Sequence, residues 1–400
     1  MPTVPQRAYL DHAATSPMPP EVLAAYAEAL SGVGNPASTH GHGQAAGERL
    51  EAARERIARR LGCDAALVTL TGGGTEAVNL AVKGMYWARR RASARANGSG
   101  DRPVLLIAEG EHHATLEAAE WLRDEQGAEL RLLPIDGTGL LHPETLRAAI
   151  EQAGPGRVAL VSFLWANNEV GTVQPVAELA AVAHEAGVPV HVDAIAALGQ
   201  LPIDFAAVGV DALSVSAHKI GGPVGVGALL LARGASAEPL LHGGSQQRSR
   251  SGTQDVAGAV AFAAALELAC GGDAEARIAR LRALRDRLVG GVREAVPDAV
   301  LRGATTHRLP GNAHFTFPGC QGDSLVFLLD AAGVSASVGS ACQAGVAEVS
   351  HVLLAMGVPE HEAIGSLRFT LSTSTSDSEV DALFEALPGA VERARAAGLS

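Results

Sequence analysis

Between about residue 45 and residue 270, short apolar runs alternate with amphipathic helical patterns, and the loops after the runs are rich in polar residues. The runs are Ala66-Leu-Val-Thr-Leu70, Val104-Leu-Leu-Ile-Ala108, Val158-Ala-Leu-Val-Ser162, Val188-Pro-Val-His-Val192 and Ala212-Leu-Ser-Val-Ser216. Each is β-branched or Leu-rich throughout and bounded by Gly, Pro or charge, which is how a strand buried on both faces reads. Stretches such as Glu48 to Leu61 and Ala177 to Ala186 are the expected helices between them. The pattern predicts an α/β fold, a mainly parallel sheet covered by helices.

After about residue 275 the pattern changes. A long charged helix is expected over Glu275 to Val296, then strands near Ala313–Phe317 and Ser366–Leu371 and helices near Asp323–Ala332 and Asp377–Ala397. A chain of 400 residues exceeds the size at which one core stops growing. The expected division is a large α/β domain over 17–275 and a small α+β domain made of 1–16 and 276–400, with a mobile loop at about 333–346. Ala92 to Gly100 reads as a disordered surface insert, and Arg89-Arg90-Arg91 with Arg95 as a solvated helix end.

Several function classes are disfavoured. A formal charge of −12, from 31 basic and 43 acidic residues, argues against a nucleic-acid partner held by phosphate neutralisation. No run reaches the ~18 apolar residues of a membrane span. Met1 to Tyr9 shows no leader pattern, so cytoplasmic residence is the expectation. Cys63, Cys270, Cys320 and Cys342 have no metal-ligand spacing, which disfavours a disulfide framework and a zinc site and leaves room for one reactive thiol.

In open α/β sheets ligands sit outside the carboxyl ends of the strands. The residues there are Thr71-Gly-Gly-Gly-Thr75, Glu111-His112-His113, Asn167-Asn168-Glu169, Asp193 and His218-Lys219, so five loops deliver polar groups to one edge. Gly74 and Thr75 open a helix, whose free N–H groups and dipole suit a phosphate dianion, although glycines also commonly mark turns. Lys219 closes a strand, where partial desolvation lets a lysine form an imine with an aldehyde cofactor; taken alone it also reads as a surface lysine. A strand-end Asp193 is costly unless paired, and the pyridinium nitrogen of pyridoxal 5′-phosphate (PLP) would pair it. His112 could stack on a flat ring and Asn168 could donate to a phenolate oxygen.

Together these motifs carry a resemblance. His191-Val-Asp-Ala194, Ser216-Ala-His-Lys219, Gly34-Asn-Pro-Ala-Ser38, Asn167-Asn-Glu-Val-Gly171, Arg250-Ser-Gly-Thr253, Gly339-Ser-Ala-Cys342 and Ser366-Leu-Arg-Phe369 resemble, in order, the cysteine desulfurases of the class-V aminotransferase-like group. The resemblance runs from Tyr9-Leu-Asp-His-Ala-Ala-Thr15 to beyond Arg368. It implies the type I fold of PLP enzymes with a seven-stranded sheet. It implies Lys219 as Schiff-base lysine, Asp193 as pyridinium partner and His112 as stacking and acid/base group. Gly74, Thr75, Ser216 and His218 would hold the phosphate, with Thr253 reaching in from a second subunit of a homodimer. Asn35, Asn168 and Arg368 would bind the carboxylate of L-cysteine, Arg368 as a two-pronged fork. Cys342 would take the sulfur as a persulfide, releasing L-alanine and passing the sulfur to an acceptor such as an iron–sulfur scaffold or a thiolation protein.

One position departs from that family. A glutamine that would donate to the cofactor phenolate is replaced by Ala196, and an altered pKa and absorption of the Lys219 linkage are expected. The rival enzyme reading is a selenocysteine lyase or aminotransferase with the same core, for which Cys342 would be dispensable. A catalytically silent scaffold or sulfur sensor is the non-enzyme alternative, and it would need none of Lys219, Asp193, His112, Cys342 and Arg368.

Overall fold

The computed structural model describes residues 7–95, 102–244, 246–247, 249–339 and 349–397. Twelve strands are present among them: β1 (Ala8–Tyr9), β2 (Val68–Thr71), β3 (Val104–Ala108), β4 (Glu129–Leu133), β5 (Val158–Leu164), β6 (Val190–Asp193), β7 (Ala212–Ser216), β8 (Gly227–Leu231), β9 (Val300–Arg302), β10 (Asn312–Thr316), β11 (Val334–Ser335) and β12 (Ser366–Thr370).

Seven of them form one sheet in the order β2-β8-β7-β6-β5-β3-β4. The pairs β3/β4, β3/β5, β5/β6 and β6/β7 are parallel, and β8 runs antiparallel to both β7 and β2. Every residue of β3, β5, β6 and β7 is buried, which explains the unbroken apolar runs: both faces of these strands meet helices. One face packs on Leu50, Ile57, Leu146, Leu179 and Phe262, and the other on Leu80, Met85, Tyr86, Ala118 and Leu122.

A separate apolar core gathers Ala8 and Leu10 with residues from Leu281 to Ala394. It lies around a three-stranded sheet, β12-β10-β9, and the parallel pair β1/β11, so the N-terminal strand packs with the C-terminal part of the chain. The helix at its heart spans Ala274–Ala295, capped by Asp273, whose side chain accepts from Ala276 N.

Some sequence expectations need correction. The expected run Ala66–Leu70 becomes strand only from Val68, the start of β2, because Ala65–Leu67 form a 3-10 turn capped by Asp64. β4 and β8 carry too little β signal to be read from sequence: β4 is an edge strand of mixed character, and β8 follows the Gly221-Gly222 and Gly225 turns. The arginine cluster is tied down, not merely solvated. Arg89 Nη2 donates to Gly187 O (3.0 Å), Arg90 Nη1 to Tyr86 Oη (3.1 Å), and Arg91 pairs with Glu238 (3.0 Å). Residues 92–95 of the expected insert complete the helix Gly74–Arg95, and the rest of that insert lies outside the described residues. Among the described residues no single helix is long and apolar enough to cross a membrane, and no cluster of three or more metal-ligating side chains occurs.

Candidate active site

A cavity of about 460 Å³ opens at the carboxyl edge of the sheet, between it and the β10/β12 pair. It collects Gly74, Thr75, His112, Asn168, Asp193, Ser216, His218, Lys219 and Arg368, delivered by the ends of β2, β3, β5, β6 and β7 and by β12. The parallel register makes this convergence: Leu164 of β5 lies opposite Asp193 of β6, which lies opposite Ser214 of β7.

Asp193 is only 2% exposed, and its Oδ1 accepts from Ile195 N at 2.9 Å. Burial pushes its carboxyl up to about 6, opposed by that hydrogen bond and by the nearby Lys219 charge. Lys219 sits in the short 3-10 turn Ala217–Ile220 that follows β7. Its Nζ donates to the carbonyls of Ala13 (2.5 Å) and Ala14 (3.0 Å). Burial, then the Arg368 charge, pulls its ammonium down to about 8, against the pull of Asp11 and Asp193. A lysine so placed is partly neutral at physiological pH, as a nucleophilic amine must be.

The glycine loop has a steric reason. A Cβ on Gly74 would stand 2.3 Å from Ile195 Cδ1 and 3.2 Å from Ser216 Cβ, and Gly73 has φ +126°. Behind it, a Cβ on Gly227 would fall 2.6 Å from the Gly73 carbonyl carbon. The loop therefore lies flat on β7/β8 and presents the first turn of the 22-residue helix Gly74–Arg95 to the cavity. Glu76 Oε2 accepts from Gly72 N (2.7 Å), and Arg250 Nε pairs with Glu76 Oε1 (2.9 Å), which ties the Arg250-Ser-Gly-Thr253 segment to the same loop.

His112 caps the helix His113–Gln126, its Nδ1 accepting from Ala114 N at 3.1 Å. The neutral ring therefore carries its proton on Nε2. Desolvation, then Lys219 and neighbouring cationic groups, holds this histidine down to about 4. His218 is likewise held down to about 4 by burial and then by Lys219.

Arg368 is 5% exposed on β12. Its Nη2 lies 2.9 Å from Asp11 Oδ1 and its Nη1 donates to Asn168 O at 3.0 Å, while Nε has no partner. On the neighbouring strand β10 stands Asn312, whose Nδ2 donates to Glu169 O and whose Oδ1 has no partner. Both unpartnered atoms are closed off from solvent, Asn312 Oδ1 beside Gly171, and buried polar groups without partners are costly.

The residues present fit a flat aromatic ring bearing a phosphate. Ser216 Oγ, buried and without a partner, lies by the open helix terminus as a ready donor to an anion. Asp193 supplies a buried carboxyl to a ring cation, and no bulky side chain of the glycine loop fills the space between.

Two expected site residues are not brought to the cavity within one chain. Thr253 lines a separate small cavity with Thr71, Gly72 and Arg250. Asn35 stands exposed before the helix Gly41–Arg60, its side chain accepting from Ala37 N at 3.0 Å. Cys342, and most of the small-residue segment around it, lies outside the described residues; the segment enters at Gly339, in the cavity wall, and returns at Val349. Ala196 lines the cavity beside Asp193 and Leu309.

Sequence reasoning gave no role to the N-terminal segment. Asp11, Ala13 and Ala14 contact Arg368 and Lys219 from more than 200 positions away. Only the Tyr9-to-Thr15 motif pointed there.

The Aminotransferase class-V family matches residues 8–383. The chain is 52% identical over 395 residues to the "IscS-like cysteine desulfurase" of Mycobacterium tuberculosis, covering 98% of each. It is 42% identical over 394 residues to the "Cysteine desulfurase" of Cereibacter sphaeroides, covering 98% of this chain and 97% of that one. Among solved structures, a "NIFS-LIKE PROTEIN" superposes with TM-score 0.85 at 31% identity over 97% of this chain and 99% of the other. "SspA in complex with cysteine" does so with TM-score 0.77 at 28% identity over 92% and 100%. Matches of this length, on an α/β fold whose sheet edge gathers the expected lysine, aspartate, histidine and arginine, establish that the chain belongs to the NifS/IscS-like cysteine desulfurases of the class-V aminotransferase family.

Proposed function

We propose that the chain binds PLP through Lys219 and removes sulfur from L-cysteine, yielding L-alanine and a persulfide on Cys342. The observation that carries this reading is the convergence of Lys219, Asp193 and Arg368 on one cavity. Lys219 is desolvated and pulled down to about 8, the buried Asp193 stands ready for a ring cation, and Arg368 presents a carboxylate-binding fork.

PLP, when bound, supplies an electron sink that stabilises charge developing at the substrate Cα. Asp193 would keep the ring nitrogen protonated. Ser216, His218, Thr75 and the N–H groups at the helix terminus beside Gly74 would hold the phosphate. His112 would cover the ring face, with its neutral Nε2–H directed as donor. Lys219 Nζ would take the Cα proton of the substrate, since its neutral fraction at physiological pH makes it a base there. Arg368 and Asn168 would orient the substrate carboxylate, and Arg368 would then exchange Asp11 for the substrate. The Cys342 thiolate would attack the substrate sulfur as the Cβ–S bond breaks with its electron pair left on Cβ; protons delivered to Cβ and returned to Cα would give L-alanine, and the sulfur would stay on Cys342 as a persulfide.

The reading extends to the assembly. Thr253 and Asn35 lie off the cavity of their own chain, which supports a homodimer in which a second copy supplies them. The two separate cores support domains over 17–275 and over 1–16 with 276–400. The sulfur acceptor would be a partner protein such as an iron–sulfur scaffold or a thiolation protein.

The test is alanine and sulfide release from L-cysteine with a thiol reductant, comparing the wild type with Cys342→Ala and Lys219→Ala. Loss in both variants, with the yellow colour retained in Cys342→Ala and lost in Lys219→Ala, is the expected result. Full activity in Cys342→Ala would move the protein to a lyase or aminotransferase.

A further inference from the structure

Glu111 precedes His112 in the chain, and the chemistry assigned to the site so far gives it no role. Only 1% of it is exposed. Its Oε1 accepts from Leu164 N at 2.6 Å, and its Oε2 has no hydrogen-bond partner. Leu164 is the β5 residue paired with Asp193 across β5/β6. Strand register thus sets a second carboxyl at the strand end that already carries Asp193, itself 2% exposed.

Two carboxylates in one dry region cannot both stay charged, and the charge settles on the better-stabilised one. Asp193 has the Ile195 N–H and the field of Lys219. Glu111 has the Leu164 N–H and the influence of the Thr115 hydroxyl but no cation acting on it, and burial followed by the Asp193 charge outweighs both and pushes its proton affinity well up. The proton belongs on Glu111 and the charge on Asp193.

The backbone around Glu111 is fastened as well. His351 Nε2 donates to Glu111 O at 2.8 Å, and Asn167 Nδ2 donates to Gly110 O at 2.8 Å. Side chain and main chain together tie the loop that presents His112 to β5, to the Asn167-Asn168 loop and to His351.

We propose that Glu111 is a positioning residue of this site: a neutral carboxylic acid that pins the His112 loop to the end of β5 and leaves Asp193 the single anion there. Its functional meaning rests on Asp193 pairing with a ring cation; the location of the proton does not.

Infrared spectroscopy of the holoenzyme at neutral pH tests it. The wild type should show a protonated-carboxyl stretch above the amide band that shifts in D2O, is lost in E111Q and persists in D193N. In parallel, E111A should displace the pH titration of the visible absorption by about one unit, and E111Q, which keeps an acceptor oxygen and neutrality, should restore it. Absence of the band, its loss in D193N with survival in E111Q, or an E111Q titration displaced like that of E111A would overturn the proposal. If E111A does not fold, the wild-type, E111Q and D193N spectra still decide. A wild type that develops no visible band with added PLP would sink the cofactor reading, while the infrared comparison would still locate the proton.

Discussion

Arg368 pairs with Asp11 of the N-terminal segment that runs alongside β12, its Nη2 2.9 Å from the carboxylate Oδ1, while its other arm is held by the Asn168 carbonyl at 3.0 Å. The fork is thereby satisfied internally, in a wall where Asn312 Oδ1 and Arg368 Nε are left without partners. A substrate carboxylate must compete with Asp11 for this guanidinium.

Removing the fork and removing its competitor should act with opposite sign. Arg368→Ala is expected to raise KM for L-cysteine by roughly ten- to a hundred-fold, the worth of a charge-assisted hydrogen bond. Asp11→Asn should lower KM. It should also move the acid limb of kcat to lower pH, because Lys219 is a free amine only in the substrate-bound enzyme and Asp11 opposes the fall of its pKa. Steady-state kinetics across pH checks both, and an unchanged acid limb in Asp11→Asn would refute the coupling.

Asp193 is expected to trade stability for cofactor binding. Its carboxyl is raised from 3.8 to about 6, so the folded state binds more protons than the unfolded state between these values, and its contribution to stability falls as pH rises through that window. The cost above pH 6 is on the order of 3 kcal/mol. Cofactor-free Asp193→Asn should therefore melt at a higher temperature than cofactor-free wild type at pH 8, while losing affinity for PLP. Calorimetry with and without added PLP checks the two signs.

His191 should steepen acid unfolding. It is fully buried between Ser162 Oγ (2.8 Å) and Ser214 Oγ (2.9 Å), and burial holds its ring down to about 3. Between that value and 6.5 the unfolded chain binds the extra proton, so stability falls as pH drops through the window. His191→Leu should lose about 1–3 kcal/mol at pH 7 for each hydroxyl left unpaired. Its stability should also decline less steeply from pH 6 to pH 4, as urea unfolding at several pH values would show.

Gly227→Ala should loosen the phosphate end of the cavity without removing any polar side chain. The added Cβ meets backbone atoms of Gly73 (2.6 Å) and Val215 O (2.7 Å), which cannot rotate aside. A cost of about 1–3 kcal/mol is expected for overpacking, together with weaker PLP retention on dialysis.

Ala196 leaves the cavity wall beside Asp193 without the donor that the family resemblance leads one to expect. Ala196→Gln should shift the pH titration of the cofactor's visible band relative to wild type. Identical spectra at every pH would show that the position is neutral.

Sequence alone determined the parallel sheet and the edge at which chemistry gathers. An unbroken apolar run such as Val104–Ala108 reports burial on both faces, and the residues that follow such a run have only one edge to go to. Asp193, Ser216, Lys219 and His112 were legible for that reason, and the order of the motifs made the family legible too. Glu111 stood in the same set of strand-end residues, but its missing partners and its nearness to Asp193 appear only when β5 and β6 are paired. β4 and β8 escaped because an edge strand and a strand after glycine turns owe their form to neighbours more than to local preference. The tertiary structure alone brought Asp11, Ala13 and Ala14 onto Arg368 and Lys219, and it set Thr253 and Asn35 off the cavity. Those contacts join segments hundreds of residues apart through packing and electrostatics, which no local periodicity encodes.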